Sequence, residues 1–132
     1  MSDKENIQFI DNTATQNENG RYISVIVDVQ AVLESWRLSL FSFEWLAPDG
    51  RIKNLDELPG EEQPKRAAVE SKLKNGDPLQ KPVLGIGLQD NVEIGSGRAE
   101  FLTLAAHGYT QAPVHILKSN ESDFKAFLAD VN

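Results

Sequence analysis

The amino-acid sequence predicts a single small α/β domain, in which helices pack on a small mixed sheet. Its length of 132 residues matches that of one ordinary domain. Runs rich in β-branched residues alternate along the chain with stretches of helix formers, as in domains that combine strands and helices. The sequence contains no cysteine, so the fold must depend on its apolar core, without disulfide bonds or thiolate zinc sites.

The first 20 residues are mostly polar and contain few large apolar side chains. Such a segment buries too little apolar surface to offset the entropy that is lost on ordering. We therefore expect residues 1–20 to form a flexible N-terminal tail and residues 21–132 to form the domain.

The N-terminal half of the domain begins with YISVIVDV at residues 22–29, a β-branched run that predicts a buried strand. Residues 31–46 mix helical spacing with strand-like alternation, so the type of this element stays open. Ala-Pro-Asp-Gly at residues 47–50 predicts a turn, because proline presets φ and glycine accepts positive φ. This turn favours a hairpin into the following RIKNL.

The C-terminal half contains three short apolar runs that predict strands, at residues 83–88, 92–94 and 114–117. The first of them begins at a proline, which is tolerated at the start of a strand. We expect all three strands to share one sheet.

Three helices are predicted around these strands. KRAAVESKLKNG reads as a helix that Gly76 ends, and RAEFLTLAAH reads as a helix that begins at Arg98. We expect the Arg98 helix to pack on the sheet. A final helix is expected after a cap at Asn120 or Ser122.

The charge balance bears on the partners of the protein. Thirteen basic and 20 acidic residues give a net charge of −7, which disfavours tight binding to duplex DNA, since that affinity comes largely from lysine and arginine. Lys72 and Lys74 come closest to a basic run, and we interpret them as a solvated helix face. No stretch approaches the roughly 18 apolar residues of a spanning helix, so no membrane partner is expected. The absence of cysteine and of a signal peptide favours a cytoplasmic location.

The segment with the most chemistry is IGSGRAEFLTLAAHG, at residues 94–108. Gly95, Ser96 and Gly97 precede the predicted helix, and the free N–H groups at a helix start favour a phosphate or a carboxylate. Arg98 can add a bidentate positive charge to the same anion. Glycine turns also join strands to helices for steric reasons alone, so a purely structural turn is the alternative.

Residues 73–117 carry a resemblance to a known family. KLKNGDPLQKPVLGIG, VEIGSGRAEFLTLAAHG and APVHIL follow one another in this stretch. This order resembles the ParB-type domain of the ParB and sulfiredoxin superfamily, in which a glycine-ended helix precedes a strand entry, a hairpin strand, a G-x-x-R helix start and a proline-led strand. The resemblance implies a ParB/sulfiredoxin-like fold. The region around Trp36 and Trp45 has no comparable match.

The resemblance also implies a phosphate site for a nucleotide on the turn, with Gly97 admitting the close approach of the backbone. The chain departs from the motif at Glu100, where the family has arginine. Either Arg98 supplies the missing charge, or the site is degenerate, or Glu100 holds a divalent cation such as Mg²⁺ that accompanies the nucleotide. Glu100 and Glu93 are the candidate catalytic carboxylates, and no residues are predicted as a metal site of their own.

Two classes of function follow from these observations. The first is a stand-alone ParB-like domain that binds a nucleotide or phosphate, as a nucleotidase, a nuclease or a binding protein without turnover. The second is a non-catalytic interaction or regulatory module of plasmid or phage type, with a protein partner. Sulfiredoxin activity is not expected because the chain has no cysteine. Chromosome or plasmid partitioning is not expected either, because too few residues follow the motif helix for a helix-turn-helix domain.

Other residue types give weaker signals. His107, near a predicted helix C-terminus, is interpreted as a surface residue that compensates the helix dipole, and His115, in a predicted strand, as structural. The two histidines do not have metal-ligand spacing. The aromatic residues from Trp36 to Trp45 could stack a nucleobase, but packing in the core is the favoured interpretation.

Overall fold

A computed structural model describes residues 7–16 and 20–129 of the chain. This part of the chain contains three α-helices and six short strands, and the predicted mixed α/β class is confirmed. The helices are α1 Val29–Trp36, α2 Gln63–Asn75 and α3 Arg98–Ala106. The strands are β1 Phe9–Ile10, β2 Tyr22–Asp28, β3 Leu79–Gln80, β4 Leu84–Ile86, β5 Val92–Ile94 and β6 Gln111–Leu117.

The strands form three two-stranded ladders. β1 pairs with β3 in parallel, whereas β2–β6 and β4–β5 are antiparallel pairs. The longest ladder, β2–β6, runs through seven residue pairs, from Tyr22 opposite Leu117 to Asp28 opposite Gln111. The apolar run at residues 22–29 therefore forms the predicted strand, and its partner lies almost 90 residues further along the chain.

The prediction that residues 83–88, 92–94 and 114–117 share one sheet is wrong. β6 pairs along its length with β2. Among the described residues, its only ladder contact with the β4–β5 hairpin is a single parallel bridge between Val83 and His115. On its other edge the backbone of Val83 already pairs with Gly95 and Ser96. Pro82, the preceding residue, has no N–H to extend the contact with β6. β4 is also shorter than predicted, because a turn at residues 87–90 ends it.

The stretch after β2, whose type the sequence did not decide, begins as the helix α1. The Asp28 side chain accepts a 3.0 Å hydrogen bond from the Ala31 N–H and caps α1. One face of the helix is buried, and its residues follow the i, i+3, i+4, i+7 spacing of a core-facing stripe: Val29, Val32, Leu33 and Trp36. The helical spacing was therefore the correct signal up to Trp36.

Local signals in the middle of the chain are confirmed. The Ala-Pro-Asp-Gly turn closes through a 2.8 Å hydrogen bond from the Gly50 N–H to the Ala47 carbonyl, and Leu46 bridges Ile52 in antiparallel fashion. α2 ends at Gly76, which has φ of 74° in the left-handed region.

The C-terminal segment does not form the expected α-helix capped by Asn120 or Ser122. It consists of two 3₁₀ turns, Lys118–Asn120 and Ser122–Phe127, and no described side chain caps either of them. The segment is fixed by the buried Phe124 and then leaves helical geometry, because Leu128 bridges Val27 of β2 and the Ala129 N–H donates to Ile26. Pairing with the free edge of β2 thus ends the helical turns.

The prediction of a flexible tail over residues 1–20 is wrong for residues 7–16. These residues dock on the domain through the β1–β3 ladder and through Asn12, which is 2% exposed. The Asn12 amide nitrogen donates to the Lys81 carbonyl at 2.9 Å and to Ser96 Oγ at 3.1 Å. Composition missed this docking, because it depends on backbone pairing and one buried amide. Residues 1–6 and 17–19 of the predicted tail lie outside the described residues.

The hydrophobic core is one contiguous cluster, to which the three helices and the β2, β4, β5 and β6 strands contribute. Its largest fully buried side chains are Trp36, Trp45, Phe101 and Phe124. No helix among the described residues is long and apolar enough to cross a membrane.

Candidate functional site

The predicted sequence of strand, glycine turn and helix is present, because β5 leads through residues 95–97 into α3. Gly97 precedes α3 with φ of 85°, in the left-handed region that favours glycine. A Cβ atom on Gly97 would lie 2.8 Å from the Pro82 Cα atom, which is closer than real contacts allow. The backbone of the turn and the approach of Pro82 therefore each require glycine here. Both are steric requirements of the fold.

The first turn of α3 has unpaired backbone donors. Its first intrahelical hydrogen bond runs from the Phe101 N–H to the Gly97 carbonyl at 3.0 Å. No side chain in the described part of the protein caps the helix, and the N–H groups of Arg98, Ala99 and Glu100 have no acceptor within it. These three residues line a cavity, and the positive end of the helix dipole lies at its wall.

The cavity, of about 460 Å³, lies between α2 and the start of α3 and is called the α2–α3 cavity below. Two lysines that were not predicted for the site, Lys65 and Lys72, line it from α2. They lie seven residues apart, or two helical turns, and therefore on one helix face. Sequence spacing shows that shared face, but only the packing of α2 beside α3 brings it to the glycine turn. Lys74 does not line this cavity. Lys72 and Lys74 are both exposed, as expected for a solvated helix face, and both border a separate cleft at the end of α2.

Arg98 lines the α2–α3 cavity, but its guanidinium turns back onto the protein. Nε and Nη2 donate to the Ile94 carbonyl at 3.2 and 3.1 Å. The guanidinium carbon lies 5.8 Å from the centre of the Trp36 ring and 5.2 Å from that of Phe41, within cation–π distance. Nη1 lies 4.0 Å from a carboxylate oxygen of Glu44. The Arg98 guanidinium, which was predicted to bind an anion, therefore also stabilises the turn through Ile94 and packs against Trp36 and Phe41.

Gly95 and Ser96 have other partners. The Gly95 N–H donates to the Val83 carbonyl at 2.9 Å, so Gly95 lines the cavity but its donor is used. Ser96 Oγ accepts the hydrogen bond from the Asn12 amide. Ser96 is not among the residues that line the α2–α3 cavity. Of the predicted anion-binding residues, the structure thus brings Gly95, Gly97 and Arg98 to one cavity.

The two candidate catalytic carboxylates line different cavities. Glu100 lines the α2–α3 cavity, whereas Glu93 accepts a 3.0 Å hydrogen bond from the Asn91 amide and lines a second cavity of about 430 Å³. The described part of the chain contains no group of three or more His, Asp or Glu side chains that could hold a metal ion.

The charges of the α2–α3 cavity are unequally paired. Glu62 is buried and accepts hydrogen bonds from Trp45 Nε1 and Lys65 Nζ, both at 3.1 Å. Burial is the largest influence and opposes its ionisation, but these two hydrogen bonds together with the positive charges of Lys65 and Arg98 outweigh that cost and lower the pKa of Glu62. Lys65 is therefore partly neutralised. Lys72 has no carboxylate within ion-pair distance among the described residues, and it is the cavity's unpaired cation.

The weaker candidates are dispersed. His107 lies on the surface with Nε2 3.0 Å from a Glu70 oxygen. His115 is buried in β6 beside the docked N-terminal segment. Trp36 and Trp45 belong to the core, as expected, whereas Phe41 and Phe43 are exposed, so the prediction of core packing is wrong for these two.

Comparison with known proteins gives no match: no family model, no curated protein and no solved structure is significantly similar to this chain. The resemblance to ParB-type domains therefore rests on residues 73–117 and stays a prediction.

Proposed function

We propose that this domain binds a phosphate-bearing small molecule, with a nucleotide as the expected class, in the α2–α3 cavity. One observation carries the proposal: Lys65, Lys72 and Arg98 border the same cavity as the uncapped start of α3. The resemblance to ParB-type domains supports the same class of ligand at the same turn.

The charges favour an anion locally, although the whole protein is acidic. Three cations and two carboxylates line the cavity, while the chain as a whole has a net charge of −7. Among the described residues, Lys72 forms no ion pair, and the N–H groups of the first turn of α3 have no acceptor within the helix, so we assign these groups the main contacts with phosphate oxygens. The cavity's volume is within the range of about 300–1,000 Å³ that is typical of small-molecule sites.

Glu100 sets a condition on the ligand. A carboxylate on the cavity wall repels a bare phosphate, and the repulsion grows as the cavity is desolvated. A Mg²⁺ ion bound mainly by the nucleotide's own phosphates would offset this charge. We therefore expect the Mg²⁺ complex of a nucleotide to bind more tightly than inorganic phosphate.

The proposal is for binding and does not include turnover. A two-carboxylate mechanism needs both groups at one substrate, and Glu93 lines a different cavity from Glu100. The cavity's other carboxylate, Glu62, already accepts hydrogen bonds from Trp45 Nε1 and Lys65 Nζ, so Glu100 is the remaining candidate acid or base.

Thermal unfolding with inorganic phosphate and with the common nucleotides, each with and without Mg²⁺, tests the proposal. A ligand at 100 times its Kd adds about 2.7 kcal/mol to the free energy of unfolding. Lys72→Ala should weaken the effect about tenfold in Kd, the value of one charge-assisted hydrogen bond. Lys74→Ala, which removes a charge from the same helix outside the cavity, is the matched control. No stabilisation by any of these ligands, or equal losses in both variants, would refute the proposal.

A further inference from the structure

The loop after α1 has an inverted distribution of side chains. Ser39 and Ser42 are buried, whereas the four large apolar side chains among residues 38–43 are exposed: Leu38, Leu40, Phe41 and Phe43. Leu40 is 83% exposed and Phe43 is 67% exposed. Isolated exposed apolar residues are normal on a protein surface, but four within six residues concentrate apolar surface on one loop. We call these four side chains the apolar loop patch.

The patch is held in place by hydrogen bonds inside the loop. Ser42 Oγ donates to the Arg37 and Ser39 carbonyls at 3.0 and 2.9 Å, and the Phe41 N–H donates to Ser39 Oγ. Lys53 Nζ donates to the Phe43 carbonyl at 2.8 Å. The small polar side chains thus fix the backbone while the large apolar ones point outward. A partner would lose little loop entropy on binding a surface that is already ordered.

Two apolar grooves flank the patch. One, of about 390 Å³, lies between Phe43 and the turn at Leu46, Ala47 and Pro48. The other is the 430 Å³ cavity already described, which Phe41 borders together with Leu84. Projecting side chains and the grooves that could receive them therefore lie side by side on one surface.

The rim of the first groove has unpaired charges of both signs. Arg37 and Lys53 line it, and their cations contact only backbone carbonyls, those of Pro48 and Phe43. Asp49, at the adjoining turn, accepts a hydrogen bond from the Arg51 N–H. Among the described residues, none of these three charged groups has an oppositely charged partner within ion-pair distance.

From this arrangement we infer that the apolar loop patch is the contact surface of a homodimer, with a second copy of this chain as its occupant. In a two-fold symmetric interface each surface must complement itself. This surface carries projecting side chains beside grooves, and two cations beside the Asp49 carboxylate, none of them in an ion pair among the described residues. A two-fold arrangement would let the side chains of one copy enter the grooves of the other and let these opposite charges pair between the copies. The long-range repulsion between two chains of charge −7 is screened beyond about 8 Å at physiological salt.

The exposed area of the apolar loop patch indicates how tightly the dimer should associate. Its side chains expose on the order of 500 Å² of apolar surface, at about 200 Å² for each fully exposed large side chain. That is less than the roughly 800 Å² per partner of a standard interface. We therefore expect a reversible dimer with a Kd on the order of 50 µM, and no obligate assembly.

Sedimentation velocity of the full chain, from about 5 to about 500 µM, tests the inference. We expect the wild type to shift from monomer to dimer over this range. Leu40→Asp and Phe43→Asp should each raise the dimer Kd at least tenfold, since each places a charge in a desolvated contact. Leu88→Asp is the matched control, because Leu88 is fully exposed at the turn after β4, outside the patch. It should leave the dimer Kd unchanged.

A wild type that stays monomeric throughout would overturn the inference, as would a dimer that persists in both patch variants. Equal weakening by Leu88→Asp would mean non-specific association and would overturn it too. Circular dichroism and the melting temperature of the monomers establish that the variants fold. Leu40 does not line the α2–α3 cavity, so Leu40→Asp should bind phosphate ligands normally, and the two proposals can fail separately.

Discussion

The backbone N–H of Asn12 donates a 3.1 Å hydrogen bond to Nε2 of His115, and both residues are buried. As the acceptor, Nε2 carries no proton, so the imidazole is neutral with its proton on Nδ1. Asp11 lies 3.8 Å from the same nitrogen, and Lys81 lies 3.3 Å from Asp11. The docking of the N-terminal segment therefore depends on the protonation state of a residue in β6.

The first prediction concerns pH. Burial is the main cause that lowers the pKa of His115, and Lys81 adds to it while Asp11 opposes it. The unfolded chain therefore takes up this proton first as the pH falls. The contribution of His115 to stability should be complete above its unfolded pKa of 6.5 and should be lost as the pH falls through the lower folded value. Urea unfolding at several pH values checks this.

His115→Gln is the control for that experiment, because the variant has no group that titrates in this range. The difference in unfolding free energy between wild type and variant should shrink below pH 6.5. A difference that does not change with pH would contradict the prediction.

The second prediction concerns the docked segment. Asn12→Ala removes the donors to Lys81 and Ser96 and the acceptor for the Ala14 N–H. We expect the free energy of unfolding to fall by about 1–3 kcal/mol, the cost of leaving buried polar groups unpaired. Thr13→Ala changes an exposed neighbour and should be nearly neutral. Chemical denaturation measures both, and equal effects would show that the segment contributes no specific contact.

The third prediction separates two roles of Arg98. Arg98→Ala should weaken phosphate binding and also lower stability by about 1–2 kcal/mol, because its guanidinium bonds to Ile94 and stacks near Trp36 and Phe41. Arg98→Lys keeps the charge but loses the planar stacking. It should retain more of the binding than Arg98→Ala while losing similar stability. Calorimetric titration and denaturation together check this. Unchanged stability in both variants would contradict the role assigned to the guanidinium.

The fourth prediction concerns Glu100. Glu100→Gln removes a negative charge from the wall of the α2–α3 cavity, and at a surface site one such charge is worth about 1 kcal/mol. We expect inorganic phosphate to bind roughly fivefold more tightly and Mg²⁺ to matter less for nucleotide binding. Glu100→Arg, which restores the family motif, should increase affinity further. Glu121→Gln, an exposed change after β6, is the control. Weaker binding after Glu100→Gln would instead identify the carboxylate as a ligand contact.

Local patterns explain which parts of the structure were predictable. The glycine turn before α3 and the end of α2 at Gly76 depend on residues next to one another in sequence, and both were predicted correctly. The strand β6 was also located, but its partner was not, because both β2 and the β4–β5 hairpin present apolar strands and local pattern does not choose between them. The partner of β6 depends on which strand edges have free backbone groups, and this depends on how the Pro82 and Val83 backbone is paired in the folded structure.

The candidate site shows the same division. Gly97 and Arg98 were found from the turn itself, whereas Lys65 joins them only because α2 packs beside α3. Asn12 was missed because one buried amide in a polar segment leaves no compositional signal. Phe41 and Phe43 were assigned to the core because exposed aromatic residues are uncommon. Predicting that these two rings are exposed would require knowing that Ser39 and Ser42 are buried instead and hold the loop backbone.

The pairing of β2 with β6 has a consequence for biosynthesis. Residues 22–28 leave the ribosome early, but their partner strand, residues 111–117, is synthesised near the end of the described chain. Until then the apolar strand has no permanent neighbour, and closing so long a loop delays folding. The nascent chain should therefore stay susceptible to proteases until residue 117 has emerged from the ribosome, and it should then complete the β2–β6 pairing in a late step.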